Sequence, residues 1–274
     1  MSPAPGTITL RDALARLVRV AAVAAGAGMM ILGATARCAE LAETIQRIKP
    51  SIVAIGTYMR LRSPTVQFYG TGFAVGDGRH VVTNYHVVAK ELDQEKKEER
   101  IVLVSNGGEP APRAAELFAV DKDHDIAVLT IAGDPLPAMQ LGDSTKVHEG
   151  QPLAFTGFPI ALVLGFHPAT HRGMVAAITP VALPTLAARQ LTAKAISRIR
   201  NSAYTVFQLD GTAYPGNSGS PLYDPDDGTV YGIINSVFVQ GTREAAISRP
   251  SGITYAIPSQ HILEVLRAAK VPGL

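Results

Sequence analysis

Residues 210–224 read DGTAYPGNSGSPLYD. They follow the apolar, β-branched run TVFQLD at 205–210 and lead into Pro221-Leu222-Tyr223, so the stretch reads as a sharp connection that returns to a strand. Pro215 fixes φ, Gly216 accepts positive φ, and Asn217 and Ser218 bond their own backbone, which by itself describes a tight turn. The same residues suit a second purpose. A serine held on a constrained turn beside glycines faces outward while nearby backbone N–H groups point into the same space, as an acyl-transfer nucleophile and its oxyanion-binding donors require. The turn does not separate the two readings; a base and an orienting carboxylate elsewhere in the chain would.

Composition narrows the field. The 274 residues are 47% hydrophobic and 18% charged with a net charge of +2, the balance of an ordinary globular chain with ample core. No broad basic face is on offer, so nucleic acid is not an expected partner. The densest charge run, 91–100 (ELDQEKKEER), mixes both signs and reads as a solvated loop. Cys38 is the only cysteine, which excludes an internal disulfide and a cysteine-based zinc cluster.

Arg11, Arg16 and Arg19 precede an uncharged stretch, Val20 to Ala36, rich in small residues and ending in Ala34-Thr35-Ala36. A basic region, an apolar region and a small-x-small triplet predict an export signal over 1–36, removed from a periplasmic or secreted protein. The alternative is an uncleaved inner-membrane anchor and membrane association through it. The run is at the short end of what spans a bilayer, and Gly26, Gly28 and Gly33 weaken it as a helix.

Ala39 to Ile48 (AELAETIQRI) predicts a short amphipathic helix ended by Pro50. Short β-rich runs follow: SIVAIGTYM, GTGFAV, HVVTNYHVV, RIVLVS, DIAVLTI, PLAFTGF, GMVAAIT, TVFQLD, TVYGIINSVFV and ITYAI. About ten to twelve short strands with turn signals between them favour paired β-barrels over a βαβ sheet. A helix is expected at Ser259 to Ala269. The segment 184–201 carries Leu191, Ala195 and Ile199 at helical spacing with Arg189, Lys194, Arg198 and Arg200; it is read as an inserted loop, either a gate near the site or a solubilising surface.

Of the seven histidines, only His86 sits where a strand signal ends in polar residues, in VVTNYHVV. A carboxylate to orient it is available in DKDHDIAVL. Asp125 abuts the buried-looking run Ile126 to Leu129 and is preferred; its neighbours Asp121 and Asp123 read as turn residues, with Asp123 the fallback.

GTGFAV, VVTNYHVV, DHDIAVL, DGTAYPGNSGSPLYD, VYGIINSV and GITYAIPS, in that order, resemble the HtrA/Deg-type branch of the trypsin-like serine proteases. The resemblance runs from about Ala39 to the C-terminus. It implies an all-β fold of two six-stranded barrels, with the first at about 51–135, the second at about 136–258 and a C-terminal helix at 259–270, in a protease domain spanning 37–274. It further implies a His86, Asp125 and Ser218 triad, an oxyanion hole from the N–H groups of Gly216 and Ser218, and polypeptide substrates such as exported or misfolded proteins. No metal or organic cofactor is called for. The primary pocket would have Thr212 at its base and Asn235, Ser236 and Val237 along one wall; with no carboxylate among them, Lys and Arg are disfavoured and small aliphatic residues are expected. The chain ends at Leu274, so the family's common peptide-binding PDZ domain is not expected, and Ser220 stands where a second glycine is usual. Homo-oligomerisation is neither indicated nor excluded. A catalytically silent peptide-binding holdase and a membrane-anchored scaffold subunit are the alternatives from other functional classes.

Overall fold

The structure, a computed structural model, describes residues 41–104, 110–159, 165–180, 204–235 and 253–274. The expected signal at 1–36, the basic segment at 184–201, Ser236 and Val237 lie outside the described residues.

Six strands form the first barrel: β1 (Ile52–Tyr58), β2 (Val66–Val75), β3 (His80–Asn84), β4 (Glu99–Val104), β5 (Ala111–Asp121) and β6 (Ile126–Ile131). They close in the order β1-β2-β3-β6-β5-β4. The second barrel comprises β7 (Pro152–Gly157), β8 (Ala169–Pro180), β9 (Thr205–Asp210), β10 (Pro221–Tyr223), β11 (Val230–Asn235) and β12 (Ile253–Pro258). Its order is β7-β8-β9-β12-β11-β10, the same connectivity repeated. Closure leaves no strand edge to be managed. Both interiors are apolar: Val53, Ile55, Val81, Val102 and Leu129 meet in the first, and Leu153, Phe155, Val175, Phe207 and Leu209 in the second. Each such side chain contributes about 1.5–3 kcal/mol on leaving water.

One strand has no counterpart in the sequence reading. β5 is largely exposed, with Leu117, Phe118 and Val120 on the outside, so its sequence APRAAELFAVD lacks a clean inward alternation. β10, three residues long from Pro221, is the strand to which the stretch 210–224 is expected to return. The run HVVTNYHVV is not one strand. β3 stops at Asn84 and Tyr85–Val88 forms a single helical turn, because the Tyr85 N–H and the Asn84 side-chain amide both donate to the Asp125 carbonyl, at 3.0 and 3.1 Å.

The charge run 91–100 is corrected in one respect: Glu98 is buried rather than solvated. Its carboxylate accepts from Thr57 Oγ1 at 2.5 Å, Arg62 Nη1 at 2.7 Å, the Asp93 N–H at 3.1 Å and Lys90 Nζ at 3.4 Å. Burial alone would push this carboxyl up, but the hydrogen bonds from Thr57, Asp93 and Arg62 and the charge of Lys90 together bring it down to about 2. The closing helix, Ser259–Ala268, buries Ile262, Val265 and Leu266 and is moored by Ser259 Oγ, which donates to the Gly142 carbonyl at 2.7 Å. Among the described residues no helix is long and apolar enough to cross a membrane.

Candidate active site

Residues 211–220 link β9 to β10, and their backbone is fixed by two glycines that only glycine fits. Gly216 has φ 104° and Gly219 φ 89°. A Cβ on the first would collide with the Phe158 carbonyl, and on the second with the Thr71 carbonyl. The turn between them is gripped by β2 of the other barrel: the Thr71 N–H donates to the Ser218 carbonyl at 2.8 Å, and Thr71 Oγ1 donates to the Gly216 carbonyl at 2.7 Å. Within the turn, the N–H groups of Asn217, Gly219 and Ser220 donate to the carbonyls of Tyr214, Ile234 and Asn217, at 2.9, 2.9 and 3.0 Å. Ser220 is fully buried, its hydroxyl lying where a Cβ on Gly157 would be. The serine that replaces the usual glycine is therefore accommodated by a glycine in β7.

Asp125 lies one residue before β6 with φ 52°, a left-handed conformation that aspartate tolerates better than most residues. The preceding turn sets it. Asp121 Oδ1 accepts the N–H groups of Asp123 and His124, and Asp121 Oδ2 meets His124 Nδ1 at 2.6 Å. Asp125 then points at the helical turn carrying His86. Its Oδ1 accepts the His86 N–H at 2.8 Å and its Oδ2 lies 2.6 Å from His86 Nδ1. The carboxylate that meets His86 is thus that of Asp125, while Asp121 serves the turn. A third donor comes from the other barrel: Asn235 Nδ2 reaches Asp125 Oδ2 at 2.7 Å.

That last contact is not contained in the sequence reading: Asn235 is named there only for the pocket wall, and its amide reaches Asp125 across 110 positions of sequence. The available signal was a polar residue ending the apolar run VYGIIN, a buried amide in need of a partner.

Residues 70–233 match the family model described as a trypsin-like peptidase domain. The chain belongs to the trypsin-like peptidase family. Within that family its similarities run to the HtrA/Deg type. It is 32% identical over 213 residues to a probable periplasmic serine endoprotease DegP-like from Pseudomonas putida (strain W619), covering 77% of this chain and 37% of that one. With the protein of the same description from Halomonas elongata it shares 33% identity over 196 residues, 72% of this chain and 34% of that one. This trypsin-like peptidase chain therefore spans little more than a third of the length of these curated relatives. Among solved structures, the HtrA-type protease AlgW with tripeptide superposes with a TM-score of 0.60 at 25% identity, covering 83% of this chain and 62% of that one.

Around the site, the peptidase fold adds two supports. Thr254 Oγ1 accepts the Ala213 N–H at 2.8 Å and donates to the Gly211 carbonyl at 2.7 Å, so the strand partner of β9 holds the segment that contains Thr212. Behind Asp125, His124 stacks on His261 of the closing helix, with ring centroids 4.0 Å apart, and Tyr204 meets both rings edge-on. Burial, then the charges of Asp125 and Asp121, push the Tyr204 phenol well up, keeping it neutral. Burial and then the neighbouring His124 push His261 down. Among the described residues no group of three or more His, Cys, Asp or Glu is placed to hold a metal ion.

Proposed function

We propose that this chain is a serine endopeptidase in which Ser218 attacks the peptide carbonyl, His86 is the general base and Asp125 orients and stabilises the imidazole. The observation that carries this reading is the carboxylate of Asp125, whose two oxygens engage the His86 N–H and Nδ1 at once. The backbone N–H fixes the carboxylate, and the carboxylate in turn orients the ring through Nδ1 and commits the proton there, so that Nε2 presents a lone pair. As Ser218 Oγ bonds to the carbonyl carbon, its proton passes to His86 Nε2. The imidazolium then protonates the leaving amine as the C–N bond breaks. Water repeats the sequence on the acyl-enzyme: its proton passes to His86 as its oxygen bonds to the acyl carbon, and the imidazolium then gives that proton to Ser218 Oγ as the ester C–O bond breaks, releasing the acid.

The oxyanion would be bound by the N–H groups of Gly216 and Ser218, each worth on the order of 10²–10³ in rate. Support comes from the turn itself, whose Gly216 and Ser218 carbonyls are fixed by Thr71 of the other barrel. Such preorganisation removes the need to reorient dipoles when charge develops. Polypeptides of an exported compartment are the proposed substrates, in keeping with the periplasmic relatives. A pocket built on Thr212 without a carboxylate would not select Lys or Arg.

Digestion of casein and of a peptide library by the chain, with cleavage sites read by mass spectrometry, tests the proposal. Internal cleavage that disappears in Ser218→Ala is expected. Peptide binding without cleavage would instead favour a holdase.

A further inference from the structure

His171 lies in β8 directly opposite Phe155 of β7, and its ring stacks on that phenyl group with centroids 5.0 Å apart and planes 19° from parallel. Tyr214 stands 6.1 Å away on another side. Nε2 of this imidazole is enclosed and has no hydrogen-bond partner. The hydroxyls of Thr170, Thr156 and Tyr223 belong to the adjacent register positions, on the opposite face of the sheet, and bond to one another at 2.8 and 2.7 Å. A buried polar atom of this kind calls for an explanation.

Its position supplies one. β8 runs beside the segment leading to Ser218: a Cβ on Gly211 would lie 3.4 Å from the Arg172 carbonyl. Ala213 packs on the same interior cluster as Phe155. His171 therefore borders residues 211–214, the stretch in which Thr212 is taken as the base of the primary pocket.

We propose that His171 is a specificity-determining residue that hydrogen-bonds, through Nε2, an uncharged carboxamide side chain (Gln or Asn) of the residue at the cleaved bond. The proposal rests on the proteolytic reading and deepens it. An apolar side chain would leave Nε2 unpaired, and a Lys or Arg would find no counter-charge. A carboxylate would require an imidazolium, which burial opposes by pushing His171 down. A carboxamide carries both a donor and an acceptor, so it satisfies either neutral tautomer. The pocket is then not the plain aliphatic slot expected from sequence, though its rejection of Lys and Arg stands.

Gln, Leu and Glu are of similar size, so three peptides differing only at the cleaved residue separate hydrogen bonding from shape. Their affinities for the Ser218→Ala chain are measured by calorimetry, alone and combined with His171→Leu or with His171→Phe, the latter retaining a ring to stack on Phe155. With His171 present, Gln should bind about tenfold more tightly than Leu, and Glu more weakly than Gln. Both substitutions should bring the Gln-to-Leu ratio to one or below. A ratio near one with His171 present, or a Gln preference that survives both substitutions, overturns the assignment. Turnover of the same peptides by the chain with Ser218 intact reports separately: Gln-selective binding without turnover would contradict the proteolytic reading and uphold the role of His171.

Discussion

Glu98 and Asp125 are both carboxylates of the first barrel held by several donors, yet they are built for different work. The Glu98 side chain is 1% exposed and faces Arg62 and Lys90, cations from the same barrel, with Thr57 and the Asp93 N–H completing its shell. Asp125 is 22% exposed, and its side-chain donors are the ring and N–H of His86 and the carboxamide of Asn235, which arrives from the other barrel. A carboxylate answered by cations within its own barrel is a tie between loops. In the proposed reaction, one answered by an imidazole and a neutral amide from the other barrel keeps charge available for the imidazolium that forms. The contrast predicts that damage near Asp125 appears as lost rate, and damage at Glu98 as lost stability.

The largest effect should come from Ser218→Ala or His86→Ala, each lowering kcat by on the order of 10⁶ because nucleophile and base act as one unit. The double variant should be no slower than either alone, as measured by steady-state hydrolysis of one peptide. Next is Asp125→Asn, which should preserve folding and lower kcat by about 10⁴, since an amide no longer enforces the productive tautomer. Asp123→Asn should leave the rate near that of the parent chain, and a large loss there would break the comparison.

Glu98→Gln should act on stability instead, lowering the urea-unfolding free energy by about 3 kcal/mol through the uncompensated charge left on Arg62, with kcat of the folded chain little changed. The acid limb of stability checks the same point. The folded carboxyl sits at about 2 against an ordinary value of 4.5, a difference of about 3 kcal/mol. That stabilisation is complete above pH ~4.5 and is lost as pH falls towards about 2, and the slope should be shallower in the Gln variant. The smallest effect is expected from Asn235→Leu. Removing one of the three donors to the Asp125 carboxylate should lower kcat by about tenfold, without the drop in stability expected at Glu98.

Most of the barrel strands were legible because an interior strand of a closed barrel is a short apolar, β-branched run between turn residues, as in Ile126–Ile131. β5 escaped because Leu117, Phe118 and Val120 face outward, whereas β10, too short to show a period, was legible from the turn that precedes it. Local chemistry was readable for the same reason: the glycines flanking Ser218 and the turn before Asp125 are sequence-adjacent features. Long-range partners were not. Glu98 sits in a run of mixed charges whose solvated appearance is accurate for most of its neighbours, and only the fold brings Thr57 and Arg62 against it. The resemblance puts Asn235 on a pocket wall but says nothing of the bond its amide makes to a carboxylate in the other barrel. Hydrogen bonds between residues far apart leave no periodic trace in a chain; a buried polar residue at the end of an apolar run is the only hint they give.

The claim that Ser218 is an activated nucleophile is tested most directly by reacting the chain with a fluorophosphonate probe and mapping the adduct by mass spectrometry. The account predicts one stoichiometric adduct on Ser218, absent in Ser218→Ala and formed orders of magnitude more slowly in His86→Ala, with labelling of Glu98→Gln close to that of the parent chain. No adduct on Ser218 in the folded chain, or equal labelling with and without His86, would contradict it.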